Sequence, residues 1–175
     1  MASSRLHPLE EKNIEQDPFD QFDNWFKDVL NARFKEPTAV VLATSTLEGH
    51  PSARMVLMKE FSSEGFVFYT NYRSRKGREL AENPNAALLF YWDILERQVR
   101  IEGRVEKVSG KISDAYFVTR PRASRIGAII SPQSRVIESR EGLEKRFAEM
   151  AKRYASSEHI PRPSHWGGYI LKPHF

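Results

Sequence analysis

Apolar side chains recur at helical spacing through Phe19, Phe22, Phe26, Val29 and Leu30, with Trp25 beside them. That is the stripe of an amphipathic helix. Asp17-Pro18 opens it, with Asp placed to cap and Pro at the first helical position. The stripe predicts a helix sealing a core. From residue 39 the signals change to those of strands. Residues 39–45 are β-branched and apolar, 47–51 (Leu-Glu-Gly-His-Pro) form a turn, and 52–61 predict a second strand. A Ser-Ser-Glu-Gly turn precedes a third strand over 66–70. These are antiparallel hairpin spacings. Residues 75–82 predict a short helix ended by Asn83-Pro84, and 85–92 and 98–108 predict two further strands. A meander of five or six strands with little helix between them most simply closes into a small β-barrel with peripheral helices, an α+β fold.

The C-terminal half predicts helices over 110–119 and 123–130. A longer helix starts at Ser139, with Leu143, Phe147, Met150, Ala151 and Tyr154 on one face, and is ended by Pro161 and Pro163. Residues 165–171 predict a last strand. Residues 1–16 are polar without a hydrophobic period and predict a flexible or separately docked arm. Residues 17–175 then form one domain.

Composition narrows the chemistry. The chain of 175 residues holds no cysteine, which excludes disulfides, thiolate metal sites and thiol nucleophiles, and is compatible with the cytoplasm. No apolar run approaches the ~20 residues of a membrane-spanning helix, and the N-terminus lacks the apolar core of a signal peptide. The net charge of +4 favours an anionic partner. The five histidines show no metal-ligand spacing, and no phosphate-binding glycine loop or nucleophile elbow is present.

Three short segments carry positive signals. Ser74-Arg75-Lys76 places two cations in the first turn of a helix, where they oppose the helix dipole unless an anion binds. A solvated basic turn is the other reading. Arg54 and Lys59 are five apart on one predicted strand, so either a bulge intervenes or they serve different groups. Tyr116 and Arg120 share a helix face, Pro121 stops that helix, and Ser124 falls where the next N-cap is expected, a plausible anion site. Gln98 and Gln133-Ser134 lie beside apolar segments, where a heterocycle edge or the backbone would satisfy them.

Taken in order, these segments resemble the pyridoxine (pyridoxamine) 5′-phosphate oxidase family. The resemblance rests on Pro51 through Lys59 and Phe68-Tyr69-Thr70-Asn71. It continues through Ser74-Arg75-Lys76-Gly77, Arg97-Gln98-Val99-Arg100 and Tyr116-Phe117 with Arg120-Pro121. Ile126-Gly127-Ala128, Ser131, Gln133-Ser134 and Trp166-Gly167-Gly168 complete it. Each motif is weak alone; the ordered set is specific. The resemblance implies an FMN-binding split barrel and a homodimer with FMN at its interface. It implies FMN contacts from Arg54, Met55, Val56, Leu57, Met58, Lys59, Tyr69, Thr70, Arg75, Lys76, Gln98, Gln133 and Ser134. Lys59, Tyr116, Arg120 and Ser124 are implied to hold the substrate phosphate. The implied reaction oxidises pyridoxine or pyridoxamine 5′-phosphate to pyridoxal 5′-phosphate, with oxygen reduced to hydrogen peroxide.

Members of the family usually run several dozen residues further, through a Trp and an Arg-x-His-x-Arg segment that touches flavin and substrate. This chain reads as lacking that segment, and its N-terminal arm has no clear match to the family's substrate-covering segment. The alternative function is therefore a non-catalytic FMN- or pyridoxal-phosphate-binding protein on the same fold. A basic nucleic-acid-binding module is the third reading. Interspersed acidic residues and small positive clusters argue against it.

Overall fold

The computed structural model describes residues 9–174. Six antiparallel strands close on themselves: β1 (Ala39–Ser45), β2 (Pro51–Ser62), β3 (Gly65–Asn71), β4 (Asn85–Trp92), β5 (Arg97–Lys107) and β6 (Trp166–Pro173), in the order β1-β2-β3-β6-β5-β4. The meander β1 to β3 is followed by helix α2 (Arg75–Glu82), which carries the chain to the free edge of β1, where β4 pairs. The last strand fills the gap between β3 and β5, with Phe68 opposite Tyr169 and Val105 opposite Leu171. The β2–β3 turn needs Gly65: its φ is +136°, and a Cβ there would collide with the Leu171 carbonyl oxygen.

Alternation decides what enters the barrel. Val40 and Leu42, Phe66 and Phe68, Leu88, Phe90 and Trp92, and Ile101 and Val105 are buried at every second position of their strands. Helix α1 (Pro18–Asn31) covers the core as its stripe predicts, capped by Asp17, whose Oδ1 accepts the Phe19 N–H at 2.7 Å. Its Phe22 ring meets Phe61 and Phe66 edge-on, each at 4.9 Å, and Phe90 at 5.2 Å.

Three helices, α3 (Gly110–Thr119), α4 (Arg122–Ile130) and α5 (Arg140–Arg153), stand beside the barrel over a second core of Phe117, Ile126, Ala128, Ile160 and Trp166. Two expectations change here. The N-cap of α4 is Pro121, not Ser124, which lies inside the first turn. Pro121 lacks the N–H that would continue α3, and as the N-cap its carbonyl accepts the Arg125 N–H at 3.1 Å, so α4 starts at once. Helix α5 ends at Arg153, well before Pro161. Arg122 on α4 draws the following chain away by donating to the carbonyls of Tyr154 and, at 2.9 Å, Ser157.

The expected arm falls partly on residues 1–8, outside the described residues. Residues 9–16 carry one tight turn at Glu11–Asn13 and are tied to α1. Glu15 N–H donates to Gln21 Oε1, and Asn24 Nδ2 donates to Glu15 Oε1, each at 2.9 Å.

Candidate functional site

A cleft of about 880 Å³ lies where the outer faces of β2 and β3 meet the three-helix layer. Strand β2 turns Met55, Leu57 and Lys59 to it, and Val56 also borders it. The sheet register shifts between Met58 and Glu60, so Lys59 is the bulged residue. It stays on the cleft side, while Arg54 turns to the inner side. The bulge falls at Lys59 itself, and the two cations lie on opposite sides of the strand, Arg54 against Glu79.

Helix α2 is docked by Gly77, where a Cβ would overlap the Tyr72 backbone. Ser74 caps it, accepting the Gly77 N–H at 3.3 Å while its hydroxyl donates to Asn71 O at 2.7 Å. This docking brings Lys76 to the cleft wall with only 8% of its surface exposed and no hydrogen bond or ion pair to the described residues. Burial pushes its ammonium pKa down; the Arg54 charge adds to that and Glu79 opposes it.

The neighbouring arginines are occupied differently. Glu79 is buried and collects four donors. Its Oε2 accepts Thr44 Oγ1 at 2.5 Å, Ser52 Oγ at 2.6 Å and Arg54 Nη2 at 3.2 Å, and its Oε1 accepts Arg75 Nε at 2.8 Å. Arg54 also donates to Ser52 Oγ, to Thr44 Oγ1 at 2.5 Å and to Leu42 O at 3.2 Å. One carboxylate thus ties β1, β2 and α2 together. Lys76 is left as the cation of α2 that faces the cleft.

A second cation enters from the α3–α4 junction. Arg120 lies with its guanidinium carbon 4.5 Å from the Trp166 ring centre and 5.7 Å from that of Phe117. Its Nη1 is buried without a hydrogen-bond partner among the described residues. Burial lowers its pKa. Tyr69 and Tyr116 stack beside it, centroids 3.9 Å apart and planes within 17°. Ser124 and Gly127 line the same wall, and Leu143 and Phe147 of α5 form the opposite rim. Thr70 Oγ1 donates to Gln133 Oε1 at 3.3 Å, which leaves the Gln133 amide nitrogen as a donor for another group.

An open groove with three cations, Lys59, Lys76 and Arg120, none of them ion-paired among the described residues, and with aromatic walls suits a planar ligand carrying phosphate. Residues 26–154 match the family profile described as pyridoxamine 5′-phosphate oxidase. The chain belongs to the pyridoxamine 5′-phosphate oxidase family. Among its relatives, the pyridoxine/pyridoxamine 5′-phosphate oxidase of Trichormus variabilis is 58% identical over 168 residues, covering 96% of this chain and 78% of that protein. The protein of the same name from Burkholderia mallei is 58% identical over 165 residues, covering 94% and 76%. PhzG from Burkholderia lata 383, solved in complex with tetrahydrophenazine-1-carboxylic acid, matches with a TM-score of 0.89 at 30% identity, over 97% of this chain and 83% of that one. A pyridoxamine 5′-phosphate oxidase-related, FMN binding protein from Nostoc punctiforme shares the fold, with a TM-score of 0.70 at 17% identity over 91% and 83%. The family's split barrel is the fold seen here.

The residues read from the family motifs divide. Met55, Val56, Leu57, Lys59, Tyr69, Thr70, Lys76, Gln133, Tyr116, Arg120 and Ser124 line one cleft. Met58 is in the barrel core, Arg54 and Arg75 are engaged by Glu79, and Gln98 lies exposed on β5 opposite Tyr91. Ser134 is exposed just beyond Gln133, with a left-handed φ of 63°. Sequence reasoning named Trp166 within a family motif without giving it a role in the site, and missed Glu79 and the α5 rim. The i,i+4 pair Arg75–Glu79 was the available signal for Glu79; Leu143 and Phe147 read as core positions.

Proposed function

We propose that this chain binds FMN and oxidises pyridoxine or pyridoxamine 5′-phosphate to pyridoxal 5′-phosphate, with oxygen as final acceptor and hydrogen peroxide as product. The observation that carries the reading is the pair of cations, buried Lys76 and half-buried Arg120 with its buried Nη1, which line one cleft without a carboxylate partner among the described residues. Two phosphorylated molecules need two such charges. The identity to relatives named for this activity supports the same substrate class.

The side chains fit FMN. Lys76 and the capped start of α2 would hold its phosphate. Thr70 would orient Gln133 so that an amide N–H meets a flavin acceptor, and Met55, Val56 and Leu57 would supply an apolar floor. FMN, when bound, supplies a two-electron acceptor. The chain's own task is placement. Arg120, Ser124 and Lys59 would fix the substrate phosphate, Tyr116 and Tyr69 would flank its ring, and Leu143 and Phe147 would exclude water from the rim. Positioning two rings within reach contributes much of the barrier reduction.

Arg120→Ala is expected to weaken pyridoxal 5′-phosphate binding about tenfold, the loss of one charge-assisted hydrogen bond, and to leave FMN affinity unchanged. Calorimetric titration of each ligand checks this. An unchanged pyridoxal 5′-phosphate affinity removes Arg120 from the site.

A second copy of the chain belongs to this reading. Gln98 lies outside the cleft, and Met55, Leu57 and Tyr91 are exposed apolar side chains on outer strand faces. A homodimer that covers these faces would bring Gln98 to the partner's flavin. Sedimentation equilibrium is expected to give twice the 20.3 kDa chain mass; a monomer at micromolar concentration contradicts it. No helix among the described residues is long and apolar enough to cross a membrane. The reading places the reaction in the cytoplasm, which the absence of cysteine accommodates.

A further inference from the structure

The arginines around the cleft are held in two ways. Arg54 and Arg75 are held by a carboxylate, which orients them and cancels charge. Arg120 has no such partner among the described residues, yet its guanidinium is placed over an indole face. An aromatic face attracts a cation through its quadrupole and leaves the net charge intact. For a group that must meet an anionic ligand, that difference is decisive.

Trp166 is itself firmly placed. Its carbonyl accepts Arg162 Nη1 at 2.6 Å, and Arg162 Nε donates to Asp114 Oδ1 at 2.7 Å. Its backbone N–H donates to Pro163 O at 3.0 Å. The ring stacks on Tyr69 at 5.5 Å with planes within 14°, and Phe117 meets it at 5.1 Å and 64°. The Arg120 backbone is equally constrained, being the C-cap of α3 with Pro121 behind it. Its long side chain makes no hydrogen bond or ion pair to the described residues and lies against the rings of Trp166 and Phe117.

We propose that Trp166 is a positioning residue for Arg120: its indole face holds the guanidinium at the cleft unneutralised, and so sets the preference for a phosphorylated over an unphosphorylated ligand. The inference rests on the cleft taking a phosphorylated pyridine, as proposed above. Without the face, Arg120 samples other rotamers, and binding must bear the entropy of ordering it.

The test is calorimetric titration of the full chain with pyridoxal 5′-phosphate, pyridoxal and inorganic phosphate, for wild type, Trp166→Leu and Trp166→Phe. Trp166→Leu is expected to raise the Kd for pyridoxal 5′-phosphate about tenfold and leave that for pyridoxal within about twofold. Trp166→Phe keeps a ring face and is expected to recover most of the loss. Three results overturn the proposal: an unchanged pyridoxal 5′-phosphate Kd in Trp166→Leu, equal weakening of both pyridoxal forms, or Trp166→Phe falling as far as Trp166→Leu. If Trp166→Leu does not fold, tetrafluorotryptophan incorporation keeps the shape and removes the attraction of the face; the same selective loss is expected, and its absence overturns the proposal. If wild type binds inorganic phosphate but neither pyridoxal form, the vitamin reading fails alone, and the Trp166 effect is read on phosphate. If it binds none of the three, both fail.

Discussion

Lys76→Met is expected to leave the flavin-free protein at least as stable as wild type and to weaken FMN binding about a hundredfold, the upper range for one charge-assisted contact. The two effects have opposite signs because of where Lys76 sits. It is 8% exposed and has no partner among the described residues, so the folded protein bears the desolvation of an ammonium. Methionine fills similar volume without that cost. The phosphate loses its buried cation, whereas riboflavin, which has no phosphate, binds as before. Arg75→Ala moves FMN affinity in the same direction but less, since Arg75 is 57% exposed and already joined to Glu79. Quenching of flavin fluorescence and thermal unfolding measure both quantities. Unchanged FMN affinity, or a Tm that falls together with it, contradicts the assignment.

Glu79→Gln is expected to cost about 3 to 5 kcal/mol and lower the Tm by roughly 10 °C, because it leaves the Arg54 charge inside the fold without its carboxylate. Burial raises the Glu79 pKa, but hydrogen bonds from Ser52, Thr44 and Arg75 and the Arg54 charge outweigh it and hold it at about 2, against an ordinary 4.5. A carboxyl depressed in the folded state contributes stability that is complete above about pH 4.5 and is lost as pH falls towards 2. That contribution is on the order of 3 kcal/mol. Urea unfolding across pH 2 to 7 therefore shows a steep acid limb in wild type, flattened in Glu79→Gln. Identical limbs in the two proteins contradict the network.

The strands and helices were legible where one local pattern decided them. Phe22 and Phe26 marked the buried side of α1, and alternation marked the strands that enclose Leu42, Phe68 and Phe90. Barrel closure followed from a meander with no large helical layer between strands. What stayed hidden depends on partners distant in sequence. Glu79 meets Thr44 35 residues away and Ser52 27 away, so nothing local reveals its burial. Trp166 and Arg120 lie on β6 and at the end of α3, and their contact exists only once the barrel closes. Ser124 falls inside α4 and not at its cap because Pro121 already caps that helix. The cleft residues came from the ordered family motifs; spacing alone left each of them open.

The central claim is that this cleft joins FMN to a phosphorylated vitamin for hydride transfer. The most direct measurement is anaerobic: load the purified chain with FMN, add pyridoxine 5′-phosphate and follow the visible absorption of the flavin. The account predicts bleaching that reverses when air is admitted, with pyridoxal 5′-phosphate formed. A yellow colour that persists in excess substrate contradicts it and leaves a flavin-binding protein without this oxidation.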